Sequence, residues 1–211
     1  MDEAAARAWV ERELDVPRET IARLDAFAAL LREENERQNL VSKASLDRLW
    51  SRHIADSAQL LRFAPGTQAS WVDLGTGAGF PGLIVAAIHS GPVTLVEERR
   101  RRADFLRRAA ESLRIDVEVI QARAERVPPR PFGVISARAF APLDRLLEFG
   151  TGFSTAKSVW LLPKGRNAES ELAALGPTWQ GDFRLEPSVT DPEGRIIVAT
   201  GVHRRGGGRR K

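Results

Sequence analysis

The chain has 211 residues, 28% of them charged and 43% hydrophobic, with a net charge of +4 and no cysteine. That length suits one α/β domain with a small extension. The missing cysteines and three scattered histidines (His53, His89 and His203) exclude a disulfide framework, a thiolate nucleophile and a cysteine–histidine zinc cluster, so no metal is expected.

The N-terminus, MDEAAARAWVERELD, is acidic and helix-forming rather than signal-like. No apolar run approaches the roughly 18 residues of a membrane span, so the expected setting is cytoplasmic, with no membrane partner. Residues 20–38 place Ile21, Leu24, Phe27, Ala28 and Leu31 at helical spacing, and residues 46–63 do the same with Leu49, Ile54, Ala58 and Leu61. These patterns predict an N-terminal helical extension over residues 1–65. After Pro65-Gly66 the period changes. Short apolar runs at 71–74, 93–96, 117–120, 133–136 and 159–162 alternate with helical stretches at 82–89, 100–113, 143–149 and 168–175. Such alternation predicts a mostly parallel sheet with helices on both faces. Two last runs, 183–189 and 195–203, flank Asp191-Pro192-Glu193-Gly194 and predict a hairpin that closes a seven-stranded sheet at its edge. Residues 66–203 are thus expected to form a Rossmann-like domain.

Residues 204–211, RRGGGRRK, predict a basic disordered tail. They hold five cations and no acid, so without them the chain would carry −1. Residues 99–114 form a second basic segment, with seven arginines against Asp104 and Glu111. Either segment could attract a polyanion. A solvated helix face and an inert tail fit them equally.

The stretch from Trp71 to Leu83, WVDLGTGAGFPGL, carries four glycines, more than a tight turn needs. It follows the first strand and precedes a helix, at the carboxyl end of the sheet, where open α/β folds bind ligands. Gly77 to Gly82 matches the GxGxxG of dinucleotide folds. The overlapping pattern Asp73-x-Gly75-x-Gly77-x-Gly79 suits S-adenosylmethionine (AdoMet) better, because such a loop lets the backbone approach the amino-acid end of that cofactor. Glu97 ends the second strand, where a carboxylate can accept hydrogen bonds from ribose hydroxyls. NAD and AdoMet share that ribose, and an exposed strand-end glutamate is the plainer alternative. Ala124 and Glu125 follow the third strand, where an amide and a carboxylate can edge an adenine. Three acids, Asp73, Glu97 and Glu125, disfavour a phosphate-rich ligand and favour AdoMet, which is cationic at sulfur and nitrogen.

Several further motifs occur in order. They are Asn39-Leu40-Val41-Ser42, Arg52-His53-Ile54-Ala55-Asp56-Ser57, DLGTGAGFPG, LVEERRRRADFLR, Ala124-Glu125, Ser136-Ala137-Arg138-Ala139-Phe140 and Pro163-Lys164-Gly165-Arg166-Asn167. Over roughly residues 39–198 this set resembles the bacterial RsmG family, also called glucose-inhibited division protein B, whose members are 16S ribosomal RNA guanine-N7 methyltransferases. The resemblance implies a class I AdoMet-dependent methyltransferase acting on 16S rRNA or the small ribosomal subunit; a monomer is expected. It also implies AdoMet contacts at Gly75, Phe80, Ala124, Glu125 and Arg138. The loop and strand logic adds Asp73, Gly77 and Glu97. RNA contacts are expected at Arg52, His53, Lys164 and Arg166. Arg138 fits either cofactor binding or substrate placement, and His53 and Asp56, one helical turn apart, fit a structural hydrogen bond as well as an RNA contact. No catalytic base is expected, because guanine N7 already offers an in-plane lone pair. Two rival readings remain: the same fold acting on a small molecule or a protein, and a noncatalytic nucleotide- or RNA-binding module.

Overall fold

Strands buried on both faces require a helix layer on each side, and the first strands of this chain are of that kind: all four residues of β1 (Trp71–Leu74) and of β2 (Val93–Val96) are buried. The computed structural model describes residues 1–205. Residues 206–211, most of the expected basic tail, lie outside the described residues.

The helices α1 (Glu3–Glu13), α2 (Arg18–Asn35) and α3 (Lys43–Leu46) come first. A helical segment follows that runs from a π turn at Trp50–Ile54 through α4 (Ala55–Ala58) into a 3₁₀ turn at Gln59–Phe63. The sheet elements come next: β1, α5 (Gly82–Ile88), β2, α6 (Arg100–Leu113), β3 (Glu118–Ile120), β4 (Val134–Ser136), α7 (Leu143–Gly150), β5 (Val159–Lys164), α8 (Ala168–Ala174), β6 (Trp179–Pro187) and β7 (Arg195–Arg204). Strand order is β3-β2-β1-β4-β5-β7-β6. The pairs from β3 to β5 are parallel, and β7 runs antiparallel to both β5 and β6. After β1 the chain moves outward to β2 and β3, then returns to place β4 on the other side of β1. This reversal opens a crevice at the carboxyl ends of β1 and β4.

Side-chain alternation along the strands divides the core. Trp71, Leu95, Val134 and Leu161 face a layer built from α1, α2, α4, α5 and α6. Leu74, Ile135, Trp160 and Ile197 face α7 and α8. The N-terminal helices therefore share one continuous core with α5 and α6: Phe27 of α2 meets the rings of Phe80 and Phe105 at 5.6 and 6.3 Å.

Three expectations need correction. The stretch 46–63 is not one regular helix. Glu3 of α1 accepts from the backbone N–H groups of Trp50 (2.9 Å) and Ser51 (2.8 Å), so the segment starts afresh there with π geometry. The strand expected at 183–189 begins earlier, at Trp179. Arg204 and Arg205, expected in the tail, belong to the sheet edge instead: Arg204 closes β7 opposite Trp179 and the Arg205 N–H donates to the Thr178 carbonyl at 2.8 Å.

Gly150, at the end of α7, lies where a Cβ would enter the Trp160 indole. Gly150→Ala should cost about 1–3 kcal/mol through overpacking against a helix-propensity gain of about 1 kcal/mol, a net loss of up to about 2 kcal/mol as read by chemical denaturation.

Candidate functional site

The glycine loop is built on a buried carboxylate. Asp73 is fully buried, its Oδ2 accepts from the Gly82 N–H (2.8 Å) and its Oδ1 from the Ser136 hydroxyl (2.7 Å). The Trp71 indole N–H donates to the same Ser136 oxygen at 2.8 Å. Burial pushes the Asp73 carboxyl up to about 6, resisted by these hydrogen bonds. Above the carboxylate, Gly75, Gly77 and Gly79 adopt φ of +69°, +60° and +102°, a region that side chains disfavour. Asp73 thus orders the loop from beneath and, unlike the other expected cofactor residues, lines none of the cavities above it.

A cavity of about 480 Å³ lies beyond the carboxyl ends of β1, β2 and β3 and brings together Gly75, Glu97, Ala124 and Glu125 with Arg102 and Phe140. Glu97 is 4% exposed; its Oε2 accepts from the Gly77 N–H (2.9 Å) and its Oε1 from the Arg99 N–H (2.8 Å). An ionised carboxylate offers about four acceptor sites, so these two bonds leave room for two ligand hydroxyls. Ala124 and Glu125 open a 3₁₀ turn a few residues beyond β3. Phe140 covers Gly75 so closely that any Cβ there would collide with its ring.

The other expected cofactor residues lie across the Ala139 backbone. Gly77, Phe80 and Arg138 join Gly75 and His53 around a smaller space of about 270 Å³. A third cavity, of about 740 Å³, runs from Arg52 and His53 past Arg138 to Lys164 and Arg195. Ala139 borders all three spaces, in a left-handed conformation with φ of 49°.

Arg138 stands over the Phe80 ring, 5.1 Å from its centroid. Its Nη1 donates to Asp56 Oδ2 and to the Arg52 carbonyl, both at 3.2 Å, and its Nη2 donates to His53 Nδ1 at 3.0 Å. The His53 ring in turn stacks on Phe80 at 4.7 Å. His53 and Asp56 therefore do not bond to each other; both hold Arg138. Burial, with Arg138 and Arg52 nearby, lowers the His53 imidazole to about 3.

The four expected RNA residues separate by exposure. Arg52 is about half exposed and Arg166 is 77% exposed, each close to an acid of the turn after β6, Asp191 at 3.8 Å and Glu193 at 3.4 Å. Lys164 is only 12% exposed. Its Nζ donates to Glu171 Oε2 at 2.8 Å and to the Ala141 carbonyl at 3.4 Å, which ties α8 to the segment after β4. Sequence reasoning missed Gln59, Thr190 and Arg102. The first two act across more than 120 residues of chain, with no local signal, whereas Arg102 lies in the arginine run, one turn into α6.

The family model described as rRNA small subunit methyltransferase G matches residues 20–190. The chain belongs to that family. Full-length relatives of the same name include the Rhizorhabdus wittichii protein, 51% identical over 100% of this chain and 98% of its own. The Zymomonas mobilis protein is 48% identical over 96% of each chain. Like them, the chain is a methyltransferase. Among solved structures, an O-methyltransferase from Bacillus cereus in complex with SAH aligns with a TM-score of 0.57 at 18% identity, over 83% of this chain and 90% of that one. The ribosomal protein L11 methylase from Lactobacillus delbrueckii aligns at 0.58 and 13% identity, over 72% and 79%. At such identities the likeness is one of fold: the class I, Rossmann-like methyltransferase fold that the family resemblance implied, on the mostly parallel sheet that strand alternation predicted.

Between pH 6.5 and about 3 the unfolded chain binds a proton that folded His53 refuses. This contribution to stability is fully present above pH 6.5 and lost as pH falls towards 3. Asp73 acts with the opposite sign, because its folded carboxyl is raised from 3.8 to about 6 and its ionisation costs stability as pH rises through that window. Chemical denaturation across pH 7 to 5 should show a shallower acid-side loss in His53→Gln and a steeper one in Asp73→Asn.

Proposed function

We propose that this chain transfers a methyl group from AdoMet to N7 of a guanine in 16S ribosomal RNA, as a cytoplasmic monomer. The observation that carries the reading is the junction at Ala139, where the cavity that holds Gly75, Glu97 and Glu125 meets a larger one whose lining includes Arg52, Arg138, Lys164 and Arg195 beside Asp56, Glu171 and Asp191.

The residues of the first cavity fit AdoMet. Gly75 lines its wall with the Phe140 ring packed over it, Glu97 has spare acceptor capacity for a ribose, and Ala124 with Glu125 can edge an adenine. Its volume of about 480 Å³ falls within the usual range for small-molecule sites. AdoMet supplies an electrophilic methyl group on a positively charged sulfur. Gly77 and Phe80 support that site from behind, Phe80 as the platform beneath Arg138.

The larger cavity receives the acceptor. Arg52 at its wall and the exposed Arg166 beside it suit phosphates of a loop whose guanine is unpaired. Lys164 fixes the Ala141 carbonyl and so shapes the wall between cavities. No residue acts as a base in this reading. The Nδ1 lone pair of His53 is committed to Arg138, and Asp73 lies beneath the loop. The chain works by holding its substrates in line and excluding water.

Labelled AdoMet offered to 30S particles, 16S rRNA and a protein extract from cells lacking this protein should label RNA alone, at one site cleavable as N7-methylguanine. Gly75→Val, strained in backbone and colliding with Phe140, should reduce transfer by about 100-fold or more. Glu97→Gln should weaken AdoMet binding by about tenfold, the worth of a charge-assisted hydrogen bond, in calorimetry. Label confined to protein, or no AdoMet binding at all, would overturn the proposal.

A further inference from the structure

The guanidinium of Arg138 has five N–H groups. Nη1 spends both of its own on Asp56 and the Arg52 carbonyl, Nη2 spends one on His53, and the Nε–H with one Nη2–H remain open beside the cavities. A long, flexible side chain held this way is pre-organised rather than free, and the partner that matters most is the one of opposite charge. Asp56 and Arg138 are each 19% exposed, so the pair is largely desolvated and neither charge is well served by water.

Asp56 is itself over-determined. Its Oδ1 accepts from Gln59 Nε2 and from the Thr190 hydroxyl, both at 2.9 Å. Gln59 is 1% exposed and lines none of the three cavities; its Nε2 also reaches Ser188 Oγ (3.2 Å), and its Oε1 accepts from the Val189 N–H (2.9 Å). Ser188 and Thr190 share a further hydrogen bond at 2.9 Å. The turn after β6 is thus fastened to Asp56 on the side opposite Arg138. The Ala139 backbone completes the arrangement. Its left-handed φ of 49° sends Arg138 towards the helical segment and Phe140 over Gly75, and strain of this kind persists only where the surroundings impose it.

We propose that Asp56 is a positioning residue, which holds Arg138 at the junction of the two cavities and is itself held in place by Gln59 and Thr190. The inference rests on the reading that Arg138 serves the methyl-transfer site. It gives the turn between β6 and β7 a task besides lining the acceptor cavity: residues there set the aim of an arginine carried by a different strand end.

The test uses the full chain with Asp56→Asn, which keeps shape and loses charge, Asp56→Glu, and Thr190→Val, which removes one hydrogen bond from Asp56. Methyl transfer to 30S particles, thermal melting, and the NMR titration of the His53 imidazole are measured on each. The charged groups facing His53 are Arg138 and Arg52. If Asp56 holds Arg138 against the ring, Asp56→Asn lets the guanidinium move away and His53 titrates at a higher pH than in the parent. Measured below the melting transition of each variant, the expected loss of kcat/KM is about tenfold or more for Asp56→Asn and smaller for Thr190→Val, with melting lowered in Asp56→Asn by the unpaired Arg138 charge and partial rescue by Asp56→Glu. An unchanged His53 titration, or a loss of transfer matched by the loss of folded protein, would overturn the proposal. A parent that methylated no RNA would refute the functional reading instead, and the His53 titration would still decide whether Asp56 positions Arg138.

Discussion

Everything at the carboxyl end of the sheet depends on one buried carboxylate. Asp73 joins the end of β1 to the first residue of α5 through the Gly82 N–H, and to β4 through Ser136. Those are the two strands between which the chain reverses direction, so one side chain spans the crevice where the fold opens. An unpartnered carboxylate at that depth would be costly. Here its oxygens meet a hydroxyl and the N–H at the start of a helix, where negative charge is favoured. The glycine loop is the consequence: held at both ends by Asp73, it must double back through three left-handed residues.

Ala139 divides the space above this base. Its neighbours go opposite ways, Phe140 over Gly75 and Arg138 to the helical segment at Arg52 to Asp56. The N-terminal helices are therefore part of the site and not an appendage. They share the core of α5 and α6, they supply His53 to the Phe80 stack, and the π turn that carries His53 starts where Glu3 takes up the amides of Trp50 and Ser51.

The arginine run of α6 has a divided use. Arg108 bonds Glu34 of α2 at 3.0 Å and Arg101 reaches the Arg37 carbonyl at 3.3 Å, knitting α6 to the N-terminal helices. Arg102 lines the cavity beside Glu97, and Arg100, 83% exposed, faces solvent. A cluster that reads as one basic patch in sequence is thus divided among packing, a cavity wall and solvent through successive residues, because a helix turns each of its neighbours by 100°.

The sequence alone determined the elements whose signals are local. The limits of α6, the apolar runs of β1 and β2, and the strand–glycine loop–helix order follow from periodicity and turn chemistry, and the place of Glu97 just past the end of β2 follows from the same strand limits. Tertiary structure decided which polar groups meet. Lys164 pairs with Glu171, Asp73 turns down to Gly82 and Ser136, and Asp56 joins Arg138 to Thr190, 134 residues further along the chain. Periodicity reports the environment of a residue relative to its neighbours in sequence. Which distant side chain fills that environment is set by strand order and by the antiparallel return of β7, and these are fixed only when the sheet closes.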